Sequence, residues 1–266
     1  MVKVSLKSEE EIRVMAEGGA KLAQILKEVI EKVTFGLSTL EIDSWVERKI
    51  IDFGGTPSFK KVRGYRWASC VGLNDEVVHS IPRVDKIIKK GDLLKIDMGM
   101  LWRGFNTDLS WTVQISQNSQ ENFLRIGTQA LGKAIQAARP GNRVGNISQA
   151  IEDTLTRAGL SPVRVLTGHG IGQKLHEEPM VPGCLTGRIE DTPRLEEGMT
   201  LAIEVIYNQK SPEVVLGEDG WTIYTKDGRI SGLFEETIAI TKNGPLVLTP
   251  IEAGSFRLKN RGSFVC

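Results

Sequence analysis

An internal repeat constrains this chain more than any other feature of its sequence. The segment running from Leu26 to Gly54 aligns without a gap on the segment from Leu131 to Gly159, at a shift of 105 residues. Gly36 falls on Gly141, Ile42 on Ile147, Val46 on Ile151, Ile50 on Leu155 and Gly54 on Gly159, while Leu26 meets Leu131 and Ile30 meets Ile135. Any two amphipathic helices can be laid over one another, but here the flanking glycines coincide as well. A duplicated helix–helix–strand unit is therefore the better reading. Local signals agree with it. Ser8 with Glu11 and Ser38 with Glu41 are capping boxes, which satisfy the free N–H groups at a helix start. Apolar residues at Ile12, Met15, Leu22, Leu26, Val29 and Val33 recur near the 3.6-residue period. The second helix carries Ile42, Val46 and Ile50 and stops at Gly54-Gly55. In the later copy, a helical pattern at 118–137 ends at Pro140-Gly141, and another near 146–158 ends at Gly159.

After each helix pair the pattern turns to strands. LLKIDMGML (93–101) and FNTDLSWTV (105–113) flank the turn residues Trp102, Arg103 and Gly104 and read as a hairpin. VRVL (163–166), TLAIEVIYN (200–208), WTIYT (221–225) and LFEETIAIT (233–241) read as further strands. Helix pairs followed by hairpins predict an α+β fold, with helices packed on one face of a curved, mainly antiparallel sheet. No Pro/Gly/Ser-rich linker separates the copies. The expectation is a single domain over 1–266, with pseudo-symmetric halves at about 8–115 and 118–250 and a site between them. The tail 253–266 has no reading.

Composition narrows the function classes. Of 266 residues, 40% are hydrophobic and 25% charged, the balance of a globular protein. A formal net charge of +1 gives no reason to expect a specific nucleic-acid partner. No apolar run approaches the roughly 20 residues that span a bilayer, and the first residues, MVKVSLKSEEEIRVM, lack the apolar core of a secretory signal. Cys70, Cys184 and Cys266 are odd in number and contain no CxxC pair, which points away from a disulfide framework or zinc finger and towards a reducing cytoplasm.

The chemistry lies in acids set into apolar strands. Asp97 sits in LLKIDMG and Asp108 on the partner strand of the hairpin, 11 residues on, a spacing that lets two hairpin residues face one another. Glu204 sits in LAIEVIY and Glu235 in LFEETIAI. Any one of these reads as an ordinary hydrogen-bonded strand acid. Four together could not all stay ionised without compensation, and a pair of divalent cations would supply it. His169 and His176 fall in TGHGIGQKLHEEP, and the glycines beside His169 allow close approach of the backbone. An imidazole added to carboxylates suits Mn, Fe, Co or Zn better than Ca. A phosphate loop at 168–172 is a weak alternative because the GxGxxG pattern is not met. A Cys70–His79 nucleophile pair has no third group to orient it and leaves the acids unexplained.

These motifs, taken in order, resemble those of the pita-bread metallopeptidases: DMGMLWRGFNTDLSWT with Asp97 and Asp108, GHGIGQKLHEEP, IE at Glu204 and FEET at Glu235. NDEVVHSIP around His79 narrows the resemblance to the methionine aminopeptidases, over residues 8–250, and without room for the large insert of the type II enzymes the chain resembles a type I member. The resemblance implies the pita-bread fold and removal of the N-terminal methionine of nascent polypeptides by metal-activated water, with a small second residue preferred. It implies two divalent ions per chain (Co, Mn, Fe, Zn or Ni), held by Asp97, Asp108, His169, Glu204 and Glu235. Glu204 would also accept a proton, and His79 and His176 would be non-ligand catalytic groups touching substrate. Tyr65, Cys70 and Trp221 would shape the methionine pocket, with Leu175 and Phe59 as neighbours. It also implies a cytoplasmic monomer, transiently associated with the ribosome, with no membrane partner. The sequence departs from the family pattern at Glu236, where His is common, at Leu175, where an aromatic is common, and in HSIP and IEVIY.

Overall fold

A computed structural model describes residues 4–251. The tail 253–266 therefore lies outside the described residues. The first helix pair is α1 (Glu9–Lys32) and α2 (Thr39–Asp52), and both capping boxes form, at Ser8/Glu11 and Ser38/Glu41. Short strands β1 (Thr56–Pro57), β2 (Ser69–Leu73) and β3 (Glu76–Val78) follow, then the hairpin β4 (Leu93–Trp102) and β5 (Phe105–Gln114). The second copy supplies α3 (Glu121–Ala137) and α4 (Val144–Arg157). Its strands are β6 (Ser161–Pro162), β7 (Thr167–Gly170), β8 (Glu177–Pro182) and β9 (Thr200–Asn208). They are followed by β10 (Val214–Leu216), β11 (Ile223–Thr225), β12 (Ser231–Thr241) and β13 (Gly244–Val247).

A ten-stranded sheet runs in the order β1-β4-β5-β12-β9-β7-β8, with β2 on β4, β6 on β9 and β13 on β12; every pairing is antiparallel. A second, three-stranded sheet, β10-β11-β3, stands beside it. The α+β class expected from the sequence is therefore observed. The β4–β5 hairpin closes through Arg103 and Gly104, both at positive φ (46° and 89°), the conformation that matches strand twist in a two-residue turn. Two strand expectations need correction. Residues 163–166 are not a strand: after a last bond to β9, from the Val163 N–H to the Ile206 carbonyl at 3.0 Å, the chain leaves the sheet until Thr167, with Val165 turned to solvent. Trp221 and Thr222 precede β11 instead of belonging to it, because Asp219 takes their backbone N–H groups at 2.8 and 2.7 Å in a tight turn.

Alternation along the strands gives the sheet two different faces. On one, Ile96, Met98, Leu109, Trp111, Ile203, Val205 and Phe234 join the inward residues of all four helices in the main core. The other face carries the acids. The helices thus form a floor under the sheet and leave its upper surface for chemistry.

Candidate metal centre and its pocket

The acid-bearing face is ordered in two rows that follow from strand register. Cys70 pairs with Asp97, Asp97 with Ser110, Ser110 with Glu235, and Glu235 with Glu204, so one row crosses β2, β4, β5, β12 and β9. The second row lies two residues along, hence on the same face. It contains Asp108 opposite Gly99, Thr237 opposite Ala202, and Ala202 opposite His169. Asp108 and Thr237 are joined by reciprocal hydrogen bonds: the Asp108 N–H donates to Thr237 Oγ1 at 2.9 Å, and that hydroxyl donates to the Asp108 carbonyl at 2.8 Å. The hairpin spacing therefore sets Asp97 and Asp108 diagonally across the hairpin, not directly opposite. Ser110 occupies the place facing Asp97.

One ligand-type atom from each of Asp108, His169 and Glu235 lies within 4.8 Å of the others, and all three residues are buried. His169 Nε2 lies 3.7 Å from Glu204 Oε1. Its Nδ1 makes a 2.8 Å hydrogen bond with the Gly170 carbonyl. Nδ1 must carry the proton in that bond, which leaves Nε2 with a free lone pair towards the acids. Glu235 Oε2 accepts from Ser110 Oγ at 2.8 Å, while its Oε1 is buried without a hydrogen-bond partner. A buried, unpaired carboxylate oxygen is costly unless a cation meets it.

The electrostatics of the protein alone point the same way. Burial pushes Asp97 up to about 7, against the opposing pull of the polar Ser110 and Cys70 side chains beside it. Burial first, then the neighbouring carboxylates, raise Asp108, Glu204 and Glu235 well above the ordinary range. His169 is lowered to about 4, by burial and then by His176. These directions describe a cluster built for added positive charge, and the mixed carboxylate–imidazole donor set fits divalent transition metals or zinc.

A cavity of about 190 Å³ opens on this cluster. Phe59, Val62, Tyr65, Cys70, Val78, His79, Leu175, His176 and Trp221 complete its lining beside the five ligand candidates. Every site residue expected from the sequence is therefore in one cleft. Tyr65 stands edge-on to Trp221 and to Phe59, with ring centroids 5.1 and 6.4 Å apart, and its hydroxyl bonds the Ser69 carbonyl and Cys70 Sγ. The result is an apolar slot ending at the acids. His79 and His176 stand at the mouth, with surface open to solvent but protein around the rings, and burial lowers both. His79 follows β3 with φ of 55°, a strained conformation for a non-glycine residue and one that functional side chains often adopt. The His169 and His176 rings meet edge to face at 4.4 Å.

Sequence reading missed Ser110, Val62 and Val78. Ser110 had a signal: it lies two residues from Asp108, so alternation puts it on the acid face. The other two had none. Glu236 is a departure from the family pattern that register explains. It pairs with Ile203 and Leu109 on the opposite face from Glu235, and its Oε1 accepts the Ile251 N–H at 2.9 Å. It is no part of the cleft.

The family profile described as metallopeptidase family M24 matches residues 13–242. Curated relatives named methionine aminopeptidase include one from Aquifex aeolicus, 37% identical over 93% of this chain and 99% of its own length. Methionine aminopeptidase 1 of Bacillus subtilis is 39% identical over 92% of this chain and 98% of its own. The chain belongs to metallopeptidase family M24, among its methionine aminopeptidases. As a metallopeptidase it is a hydrolase that works with divalent metal, and the enzyme class read from the sequence stands. The crystal structure of methionine aminopeptidase from Thermotoga maritima superposes with a TM-score of 0.89 at 34% identity, covering 94% of this chain and all of that one. Prolidase from Pyrococcus furiosus, at 24% identity, a TM-score of 0.75 and coverage of 93% and 66%, shares the pita-bread fold alone. Among the described residues, no helix is long and apolar enough to cross a membrane.

Proposed function

We propose that this methionine aminopeptidase removes the N-terminal methionine of nascent polypeptides, preferring a small second residue, and that it does so with two divalent ions. The observation that carries the reading is the junction in one cleft of a short apolar slot with five ligand-type side chains. Asp97, Asp108, His169, Glu204 and Glu235 would hold the ions, among Co, Mn, Fe, Zn and Ni. When bound, the ions supply Lewis acidity and a water acidic enough to ionise near neutral pH.

The chain's own residues do the rest. Tyr65, Cys70 and Trp221, with Leu175 and Phe59, receive the first side chain. An unbranched thioether suits such a slot because it is flexible and polarizable. Asp97 and its neighbours give the α-amine an anionic end to sit against, which restricts the enzyme to chain termini. Glu204 accepts a proton as the peptide bond is attacked. His79 and His176 donate to the scissile amide and the developing oxyanion from the cleft mouth. The second residue passes between His79 and the acids, so small side chains fit best. The whole chain acts as one catalytic domain whose halves, about 8–115 and 118–250, each contribute ligands. A cytoplasmic monomer that meets its substrates transiently at the ribosome completes the reading. The free thiols of Cys70 and Cys184 suit that reducing compartment.

The test is a metal-reconstituted assay with Met-Ala-Ser, a peptide with a large second residue, a norleucine-initiated peptide and an X-Pro peptide. The expected result is methionine release from Met-Ala-Ser, slower release before the large residue, tolerance of norleucine and no X-Pro cleavage. Cleavage of X-Pro in preference to Met-Ala would replace this reading with the proline-directed one.

A further inference from the structure

Lys7 is an oddity outside the cleft. It precedes the cap of α1, yet its side chain is 3% exposed, and its ammonium reaches Glu177 Oε2 at 2.5 Å across 170 residues of sequence. Nζ also donates to the Ser5 carbonyl at 3.1 Å, and the Lys7 N–H donates to the Gly198 carbonyl at 2.7 Å. Two glycines make the room. A Cβ on Gly172 would stand 2.3 Å from Lys7 Cε and 2.9 Å from Glu177 Oε1, and one on Gly198 would stand 2.8 Å from the Lys7 carbonyl oxygen.

Glu177 opens β8, directly after His176. The connection from β7 to β8, residues 171–176, ends in Leu175 and His176, both lining the cleft. Its far half is fastened by Asn106 of β5. The Asn106 main-chain and side-chain N–H groups donate to the Gly172 carbonyl at 2.7 and 2.9 Å, and the side chain also donates to the Gln173 carbonyl at 3.1 Å. The near half depends on Glu177, whose Oε1 accepts the Lys174 N–H at 3.0 Å while its Oε2 takes Lys7. Without Lys7, one oxygen of a carboxylate only 11% exposed loses its partner, and the connection must shift to rehydrate it.

We propose that Lys7 is a positioning residue: through Glu177 it holds the adjacent His176 against the cleft, so that the segment before α1 tunes the active site. This inference rests on the proposed aminopeptidase activity. Misplacement of a catalytic group by about 1 Å costs up to a hundredfold in rate. Lys7→Met and Glu177→Gln, which keeps the acceptor for Lys174, should each lower kcat/KM for Met-Ala-Ser by about tenfold or more with metal content unchanged. The double variant should lose no more than either alone. In a His176→Ala background, Lys7→Met should cost less than about twofold, since coupled residues are not additive. In the metal-free protein, Lys7→Met should move the His176 Hε1 resonance. Should Lys7→Met fail to fold, Glu177→Gln carries the same cycle. Equal losses with and without His176, or wild-type kcat/KM in both single variants, would overturn the inference. A wild-type protein that releases no methionine would defeat the activity instead, and the His176 resonance would still decide the positioning role.

Discussion

Glu235 and Glu236 are adjacent on one strand, both buried, and they have opposite meanings. Glu235 sits in the acid row with one oxygen bonded by Ser110 and the other unpaired. Glu235→Ala should lower metal affinity and abolish methionine release together. Unchanged metal content by elemental analysis would remove Glu235 from the ligand set. His79→Ala and His176→Ala should instead keep their metal and lose about 10²–10³ in kcat, the usual worth of a group that stabilises an oxyanion. Metal loss in either variant would count against the non-ligand role. Glu236 faces the other way, and burial raises its carboxyl to about 7. An acid with a raised native pKa binds more protons folded than unfolded, so its contribution to stability is present at low pH and is lost as pH rises through about 7. Glu236→Gln keeps an acceptor for the Ile251 N–H and removes that loss. Relative to the wild type, its stability should therefore rise between pH 5 and pH 8, by of order 3 kcal/mol. A pH-independent difference in urea-unfolding free energy would show that Glu236 stays ionised.

The helices were legible because their information is local. Ser8, Ser38 and the glycines at 36, 54, 141 and 159 announce caps and stops within a few residues, and the matched copies supply a second reading of each. The same helices contain glycines that a pattern search treats alike but packing separates. A Cβ on Gly19 of α1 would lie 2.1 Å from the Leu248 carbonyl oxygen, whereas one on Gly132 of α3 meets nothing within 4 Å. Alanine gains about 0.5–1 kcal/mol of helix propensity over glycine, while forcing backbone apart costs about 1–3 kcal/mol. Gly132→Ala should therefore raise the melting temperature and Gly19→Ala lower it. Two shifts of the same sign would mean that propensity or packing acts alone. The acids of the β4–β5 hairpin were also legible, since a short turn fixes which residues neighbour one another. What no local signal carried was the placing of β12 between β5 and β9. That placing brings Glu235 beside Ser110 and Glu204, and it depends on pairing between strands from opposite halves. The run 163–166 misled for the related reason that a short apolar stretch does not reveal whether a partner strand lies beside it. Lys7 and Glu177 were silent for the same cause, being partners 170 residues apart.

At the scale of the molecule, the fold concentrates like charge where its two halves meet. The main core beneath the sheet must hold the acid rows together against their mutual repulsion. The pH dependence of the metal-free protein should expose that opposition. His169, lowered to about 4, works in one direction: the unfolded imidazole binds protons that the folded one does not, so acid costs stability, but this contribution is complete by about pH 6.5. Above that pH the carboxylates decide. Asp97 and Glu236, each near 7, and Asp108, Glu204 and Glu235, raised well above the ordinary carboxylate range, bind protons in the folded chain more tightly than in the unfolded one. Each contribution is lost as pH rises, so the chelated protein should melt at lower temperature at pH 8 than at pH 6.5. Divalent metal reverses the balance, because the ionised carboxylates that repel one another are the ones a cation binds. Ligand present at a hundred times its Kd stabilises by about 2.7 kcal/mol, and the apparent Kd tightens as the acids lose their competing protons. The gain in melting temperature on adding Mn or Co should therefore be larger at pH 8 than at pH 6.5. Calorimetry of chelated and loaded protein at the two pH values measures both effects. A chelated protein that grows more stable from pH 6.5 to 8, or a metal gain that shrinks over that range, would mean that the acid rows do not act as one charged cluster balanced by metal.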